Sequence, residues 1–253
     1  QYFNQEFTKA KKTLKKFKKE DDFYYWFRIK KEAQIIEKQR NKQESLNYIT
    51  AEFKKIKKPN NKIIFDIANF YKNSKHYEKA IENYTKLIKS FEADSEIKSD
   101  LLYRRGGSYE RINEFEKADK DLLRALEISP DDAYILNYLA YSWLERDYKI
   151  NKAIEMLEIA YAARSNDPYI IDSIGWAYYL IDDFLKAEKF LKKAVELMPD
   201  DPIVNDHYGD ILWKLDRRIQ ARYFWTNVLN MENAEKEMIE KINIKIVEGI
   251  KNS

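Results

Sequence analysis

Three pairs of adjacent acids, Asp131-Asp132, Asp182-Asp183 and Asp200-Asp201, and two histidines, His76 and His207, are the side chains of this 253-residue chain most able to do chemistry. Paired carboxylates can divide acid and base roles, and a histidine can move a proton near neutral pH or ligate a metal. Their placement argues against both. Each acid pair falls in a turn before or between helical stretches, where carboxylates cap free N–H groups and complement the positive end of a helix. The histidines are far apart, and neither has a ligating partner four residues on. Without cysteine the chain has no disulfide and no thiolate metal site. A Gly-rich phosphate loop, a nucleophile elbow and a zinc signature are all missing. The chain reads as non-enzymatic, with no catalytic residue, metal site or cofactor.

The elements that carry these residues are helices. Only five Gly and five Pro stand against 35 % charged and 15 % aromatic residues, a balance that favours helix throughout. Small residues recur at steps of 34 or 35: Gly106, Ala140, Gly175 and Gly209, then Ala118, Ala153, Ala187 and Ala221. A fixed period of this size marks stacked helical units that bury their apolar faces on one another. In Pro168–Asp201, Ile171, Ile174, Gly175 and Tyr178 form the stripe of a first helix, and a turn at Asp182-Asp183 follows. Ala187, Leu191 and Ala194 line a second helix, which ends before Pro199. Gly175 is expected to let the paired helices approach closely, with Leu191 filling the gap.

This pattern resembles the tetratricopeptide repeat. The resemblance implies an all-α fold, a right-handed α-solenoid of antiparallel helix pairs, with the stripe Met238, Ile239, Ile242, Ile246 and Ile250 on a C-terminal capping helix over residues 236–253. Five units are readable across 61–235: Asn61–Phe91, Ser99–Asp132, Ala133–Asp167, Pro168–Asp201, and Pro202 to about Met231. Residues 1–60 look like diverged or interrupted helices of the same kind. Trp26, Ile29, Ala33 and Ile36 suit a first helix, and Leu46, Tyr48, Ile49 and Phe53 suit a second. Ala10, Leu14 and Phe17 match the spacing of another second helix.

Charge is unevenly spread. Residues 1–60 hold 17 Lys/Arg against 8 Asp/Glu, and the remainder holds 29 against 35. The run Lys11, Lys12, Lys15, Lys16, Lys18 and Lys19 has only Leu14 and Phe17 between its lysines, without the aromatic platform a single-stranded nucleic-acid binder uses. A solvated helix face is the simpler account of it. No stretch approaches the length of apolar chain a membrane span requires, and mean hydropathy is -0.71. The sequence opens on Gln1 without a methionine or signal pattern, which reads as a processed or truncated piece. Membrane attachment would then come only through an anchor in a lost leader.

In tetratricopeptide arrays the first helices line a concave face, with positions 2, 5, 9 and 12 of each unit pointing into it. Carried onto this sequence, position 2 is Tyr134, Tyr169 and Ile203; position 5 is Tyr103, Asn137, Asp172 and Asp206; position 9 is Tyr141, Trp176 and Asp210; position 12 is Leu144, Tyr179 and Trp213. Short polar groups between aromatic rows suit a peptide backbone and its apolar side chains. The alternative is that these aromatics pack on neighbouring first helices or beneath the C-terminal helix. Phe65 with Asn69, Tyr103 with Gly107, Asn137 with Tyr141, and Asp172 with Trp176 all lack the lysine of the clamp that grips chaperone tails.

A narrower resemblance covers about Ala133 to Leu229. The stretches Tyr134–Trp143, Ile171–Tyr178, Asn205–Asp210 and Ala221–Trp225 are similar to those of a proteobacterial group that includes outer-membrane lipoproteins. Some members of that group are adaptors for carboxy-terminal processing proteases. The resemblance implies a protein-binding scaffold in the cell envelope or periplasm, with such a protease as a partner. The lipoprotein cysteine is absent, and a cytoplasmic location stays open. Two other readings stand beside it. One is an assembly factor that forms a homo-oligomer through its terminal helices, and the other a nucleic-acid-binding repeat using the basic first 60 residues.

Overall fold

The computed structural model describes residues 2–15, 22–91 and 93–250. Fourteen helices, and no strand, occur among them. Lys16, Phe17, Lys18 and Lys19 of the basic run lie outside the described residues.

The helices form two compact units, Gln1–Ile128 and Ser129–Ser253. In the first, α1 (Tyr2–Leu14) precedes three pairs: α2 (Asp22–Gln39) with α3 (Lys42–Phe53), α4 (Asn61–Asn73) with α5 (Tyr77–Lys89), and α6 (Glu96–Glu110) with α7 (Phe115–Ile128). The second holds α8 (Ala133–Leu144) with α9 (Ile150–Ala163), α10 (Pro168–Leu180) with α11 (Phe184–Leu197), α12 (Pro202–Lys214) with α13 (Arg218–Leu229), and α14 (Lys236–Glu248). The sequence divides the chain near 60 and 235; the break between units falls instead after residue 128, between the second and third of the five readable repeats. The period runs through that point unbroken, so it carries no mark of the boundary.

One turn recurs in all five pairs from α4 to α13. The residue after the first helix takes a left-handed conformation: Lys75, Asn113, Asp147, Asp182 and Asp216, with φ between 51° and 60°. The next N–H then reaches back to the carbonyl five residues earlier, as in His76 to Tyr71 at 2.9 Å and Asp183 to Tyr178 at 3.0 Å. This is the Schellman closure, which satisfies carbonyls that a helix end otherwise leaves unpaired.

The paired acids have the structural role expected of them. Asp132, Asp183 and Asp201 are N-caps whose carboxylates accept from backbone N–H groups at the start of α8, α11 and α12, and Asp167 caps α10. Asp182 supplies a left-handed turn residue.

The recurring glycines set the spacing within pairs. A Cβ at Gly106 would lie 2.9 Å from Leu122 Cγ, at Gly175 2.8 Å from Leu191 Cγ, and at Gly209 2.4 Å from Trp225 Nε1. Ala118, Ala140, Ala153, Ala187 and Ala221 are buried in equivalent seams.

In the first unit α2 to α6 share one core around Ile29, Ile49, Ile63, Ile67 and Tyr84. Trp26 Nε1 donates to Asp66 Oδ2 at 3.0 Å, tying α2 to α4. The buried pair Arg105–Asp121 joins α6 to α7 through two hydrogen bonds of 2.6 and 2.7 Å. In the second unit α10 packs on both α8 and α12, so these three first helices lie side by side. α14 packs on α13 and buries Ile242.

Candidate protein-binding face

The residues read as groove-lining separate into two groups on the second unit. Those at the N-terminal ends of the first helices are open to solvent: Tyr134 is 46 %, Tyr169 61 % and Ile203 46 % exposed. They occupy the same position in α8, α10 and α12, one turn inside the caps formed by Asp132, Asp167 and Asp201. The Arg164 guanidinium lies over the Tyr134 ring at 4.7 Å.

The second group, deeper along the helices, forms a polar and aromatic cluster. His207 Nδ1 lies 3.1 and 2.9 Å from the two carboxylate oxygens of Asp172. Its ring stacks on Trp176 at 4.1 Å, Trp176 stacks on Tyr179 at 4.7 Å, and Tyr141 stands 6.3 Å away on the His207 ring. Asp210 accepts from Trp225 Nε1 at 3.0 Å. Lys245, on α14, donates to Asp206 at 2.6 Å and to both oxygens of Asp210 at 2.8 Å. Trp213 lies under the end of α14, where a Cβ on Gly249 would stand 1.9 Å from its Cζ2. The last turn of α14 is also held by Arg222 Nε, which donates to the Ile246 carbonyl at 2.9 Å.

Electrostatics explain why the cluster holds together. Burial disfavours a charged His207, but the charge and hydrogen bond of Asp172, with Asp206 and Asp210 nearby, outweigh it and raise its pKa. Burial likewise works against the Lys245 ammonium, which Asp210 and Asp206 hold charged. The Asp210 carboxyl is raised by its own burial and by Asp206, against the opposing pull of Lys245 and His207. Three carboxylates thus face one ammonium and one imidazole. Burial raises the Tyr141 and Tyr179 hydroxyls as well, so both stay neutral donors.

Asp172, Trp176, Tyr179, Asp206, Asp210 and Trp213 are therefore brought together with Tyr141, and the last three sit against α14. Asn137 is half-buried on α8, its Oδ1 without a hydrogen-bond partner. Tyr103 is half-buried on α6 of the first unit. Sequence reasoning set His207 aside as a lone polar residue, yet it is the centre of the cluster. The signal was its distance of 35 residues from Asp172, one repeat, which sets the two on adjacent first helices. Lys245 had no comparable signal, because α14 lies outside the period. No group of three or more potential metal ligands occurs among the described residues, and no described helix is long and apolar enough to cross a membrane.

Comparison with known proteins agrees with this geometry. A family model described as tetratricopeptide repeat matches residues 62–94, 99–132 and 170–201. The chain is 30 % identical over 138 residues to the TPR repeat-containing protein PA4667 of Pseudomonas aeruginosa, a match over 54 % of this chain and 22 % of that protein. It spans about a fifth of that relative's length. It is 21 % identical over 109 residues to anaphase-promoting complex subunit 3 of Schizosaccharomyces pombe, covering 43 % of this chain and 15 % of that protein. Among solved structures, PilF of Pseudomonas aeruginosa is similar over 75 % of this chain and 85 % of its own, at 16 % identity and a TM-score of 0.58. MamA from Desulfovibrio magneticus RS-1 is similar over 70 % of this chain and 97 % of its own, at 19 % identity and a TM-score of 0.55. Such arrays present extended surfaces that bind other proteins, and nothing in the chain points to catalysis. The chain is an all-α tetratricopeptide-repeat protein.

Proposed function

We propose that the chain is a non-enzymatic scaffold that binds a peptide or protein along the first helices of its second unit. The observation carrying this reading is the row Tyr134, Tyr169 and Ile203, exposed at one position of three successive helices. Isolated exposed apolar residues are ordinary, but an aligned row beside aromatic Trp176 and Tyr179 suits alternate side chains of a bound segment. Asn137 Oδ1, buried and unbonded, adds an acceptor on the same face. The acids Asp206 and Asp210 are engaged by Lys245, so this part of the predicted strip is filled from within the chain. In the narrower reading, the partner is a carboxy-terminal processing protease or its substrate in the cell envelope.

A photo-crosslinking residue placed at Tyr169, with Ile219 on α13 as control, tests this directly. The expected result is a discrete adduct with one protein at 169, lost in the Tyr134→Ala/Ile203→Ala background. Identical adducts at both positions, or none at 169, would refute it. Recovery of a protease in that adduct decides the narrower reading.

Self-association has its own support. Ile219 (88 % exposed) and Tyr223 on α13, and Ile244 and Val247 on α14, expose apolar surface on the two packed helices that end the second unit. A concentration-dependent dimer lost in Ile219→Lys/Val247→Lys is the expected signature, and a monomer at every concentration removes this reading.

A further inference from the structure

We propose that a trough between α1 and α2 is a docking site for an acidic amphipathic α-helix supplied by another protein. The trough measures about 1060 Å³. Phe7, Ala10 and Leu14 of α1 form one wall, and Phe27 and Ile35 of α2 form the other. Thr13, Gln34, Glu37 and Asn41 complete the lining. Lys11 Nζ donates to Gln39 Oε1 at 2.9 Å and links the two helices at one end.

The packing rule of the array says what shape fits there. In the second unit α9 packs on α8 and on α10, and α11 packs on α10 and on α12. Each second helix therefore gives one face to its own first helix and another to the next first helix. α1 packs on α2, which is the first helix of a pair, so α1 stands where a second helix stands. The remaining apolar face of α1, with the adjoining face of α2, makes a slot with the cross-section of a first helix. From Phe27 to Lys38 the slot runs about 16 Å, the length of roughly three helical turns. An occupant of that form would present an apolar stripe at i, i+3, i+4 and i+7.

Charge selects among such helices. Lys31, Lys38 and Lys42 rim the trough against the single acid Glu37. Lys31 is spent on Gln34 and the Phe27 ring, whereas no carboxylate among the described residues pairs with Lys38 or Lys42, both exposed. Glutamates flanking the apolar stripe would meet these lysines, adding specificity and encounter rate.

The probes are two fluorescein-labelled helical peptides of about 15 residues with the same leucine stripe, one flanked by glutamates and one by lysines, titrated into the full chain and read by anisotropy. The glutamate peptide is expected to bind one-to-one, about tenfold tighter than the lysine peptide. Lys38→Glu/Lys42→Glu should reverse that order, and Phe27→Ala should weaken both peptides about fivefold, with helix content unchanged by circular dichroism. Failure of both peptides to bind at about 100 μM would overturn the proposal, as would an order unmoved by these variants. Binding of the chain to vesicles of phosphatidylglycerol and phosphatidylcholine without binding of the peptide would assign the trough to lipid instead.

Discussion

Gly209→Ala sets two sizeable effects against each other. Helix propensity alone favours alanine by about 1 kcal/mol in the interior of α12. The structure opposes it, because the added Cβ would stand 2.4 Å from Trp225 Nε1 and 2.5 Å from its Cδ1. Relief needs the indole to move by about 1 Å, since ordinary contact begins beyond 3.4 Å. Trp225 is fully buried, with Trp213 at 5.4 Å between ring centroids, so the ring has little room. The same movement stretches the 3.0 Å bond from Trp225 Nε1 to Asp210 beyond hydrogen-bonding range. Overpacking costs about 1–3 kcal/mol and loss of a bond to a carboxylate about 1.5–3 kcal/mol, so the net destabilisation is about 2 kcal/mol or more. Gly175→Ala meets the branched end of Leu191, which can rotate, and should cost roughly 1 kcal/mol or less. Urea melts followed by circular dichroism compare the two variants. In a double-mutant cycle, Trp225→Phe should recover part of the Gly209→Ala loss, with a coupling of at least about 1 kcal/mol. Equal cost at both glycines, or a gain at Gly209, would show that pair spacing is not set by this contact.

Three further outcomes follow from the cluster and the caps. Lys245→Met leaves Asp206 and Asp210 side by side without their cation; it should cost about 3 kcal/mol and release α14, read as lost hydrogen-exchange protection over 236–248 with α8 to α11 unaffected. His207, raised in the folded state above its ordinary value of 6.5, adds stability that is complete below that pH and fades as pH rises through the folded value. His207→Gln should therefore cost more at pH 5.5 than at pH 9, and an NMR midpoint for His207 below 6.5 would contradict the pairing with Asp172. Asp201→Ala removes a carboxylate that accepts from both Ile203 and Val204 N–H; about 1 kcal/mol of loss is expected in a thermal melt, against none for the neighbouring Asp200→Ala.

What could be read from the chain depended on whether a residue shares the period. Gly106, Gly175 and Gly209 announced the pair seams because a small residue repeated at one place has a steric cause. The Asp132, Asp183 and Asp201 caps were legible for the same reason, and the α14 stripe around Ile242 was legible from its own spacing. Distance within the unit was not. Nothing in the sequence brings Lys245 to Asp210 across 35 residues, because the short segment 230–235 sets the return path of α14 and has no repeated counterpart. The burial of Asp172 and Asp210 was missed too, since register gives a side chain's direction but not what arrives to cover it.

The left-handed residues that close the first helices bear on how this chain can change over time. Lys75, Asn113, Asp147, Asp182 and Asp216 are all exposed, and each holds a conformation that glycine adopts without steric penalty. Each is a reserve of stability lying away from both the helix seams and the exposed row on α8, α10 and α12. A lineage facing heat, or a damaging substitution elsewhere, can draw on these turns one at a time while its recognition surface stays as it was.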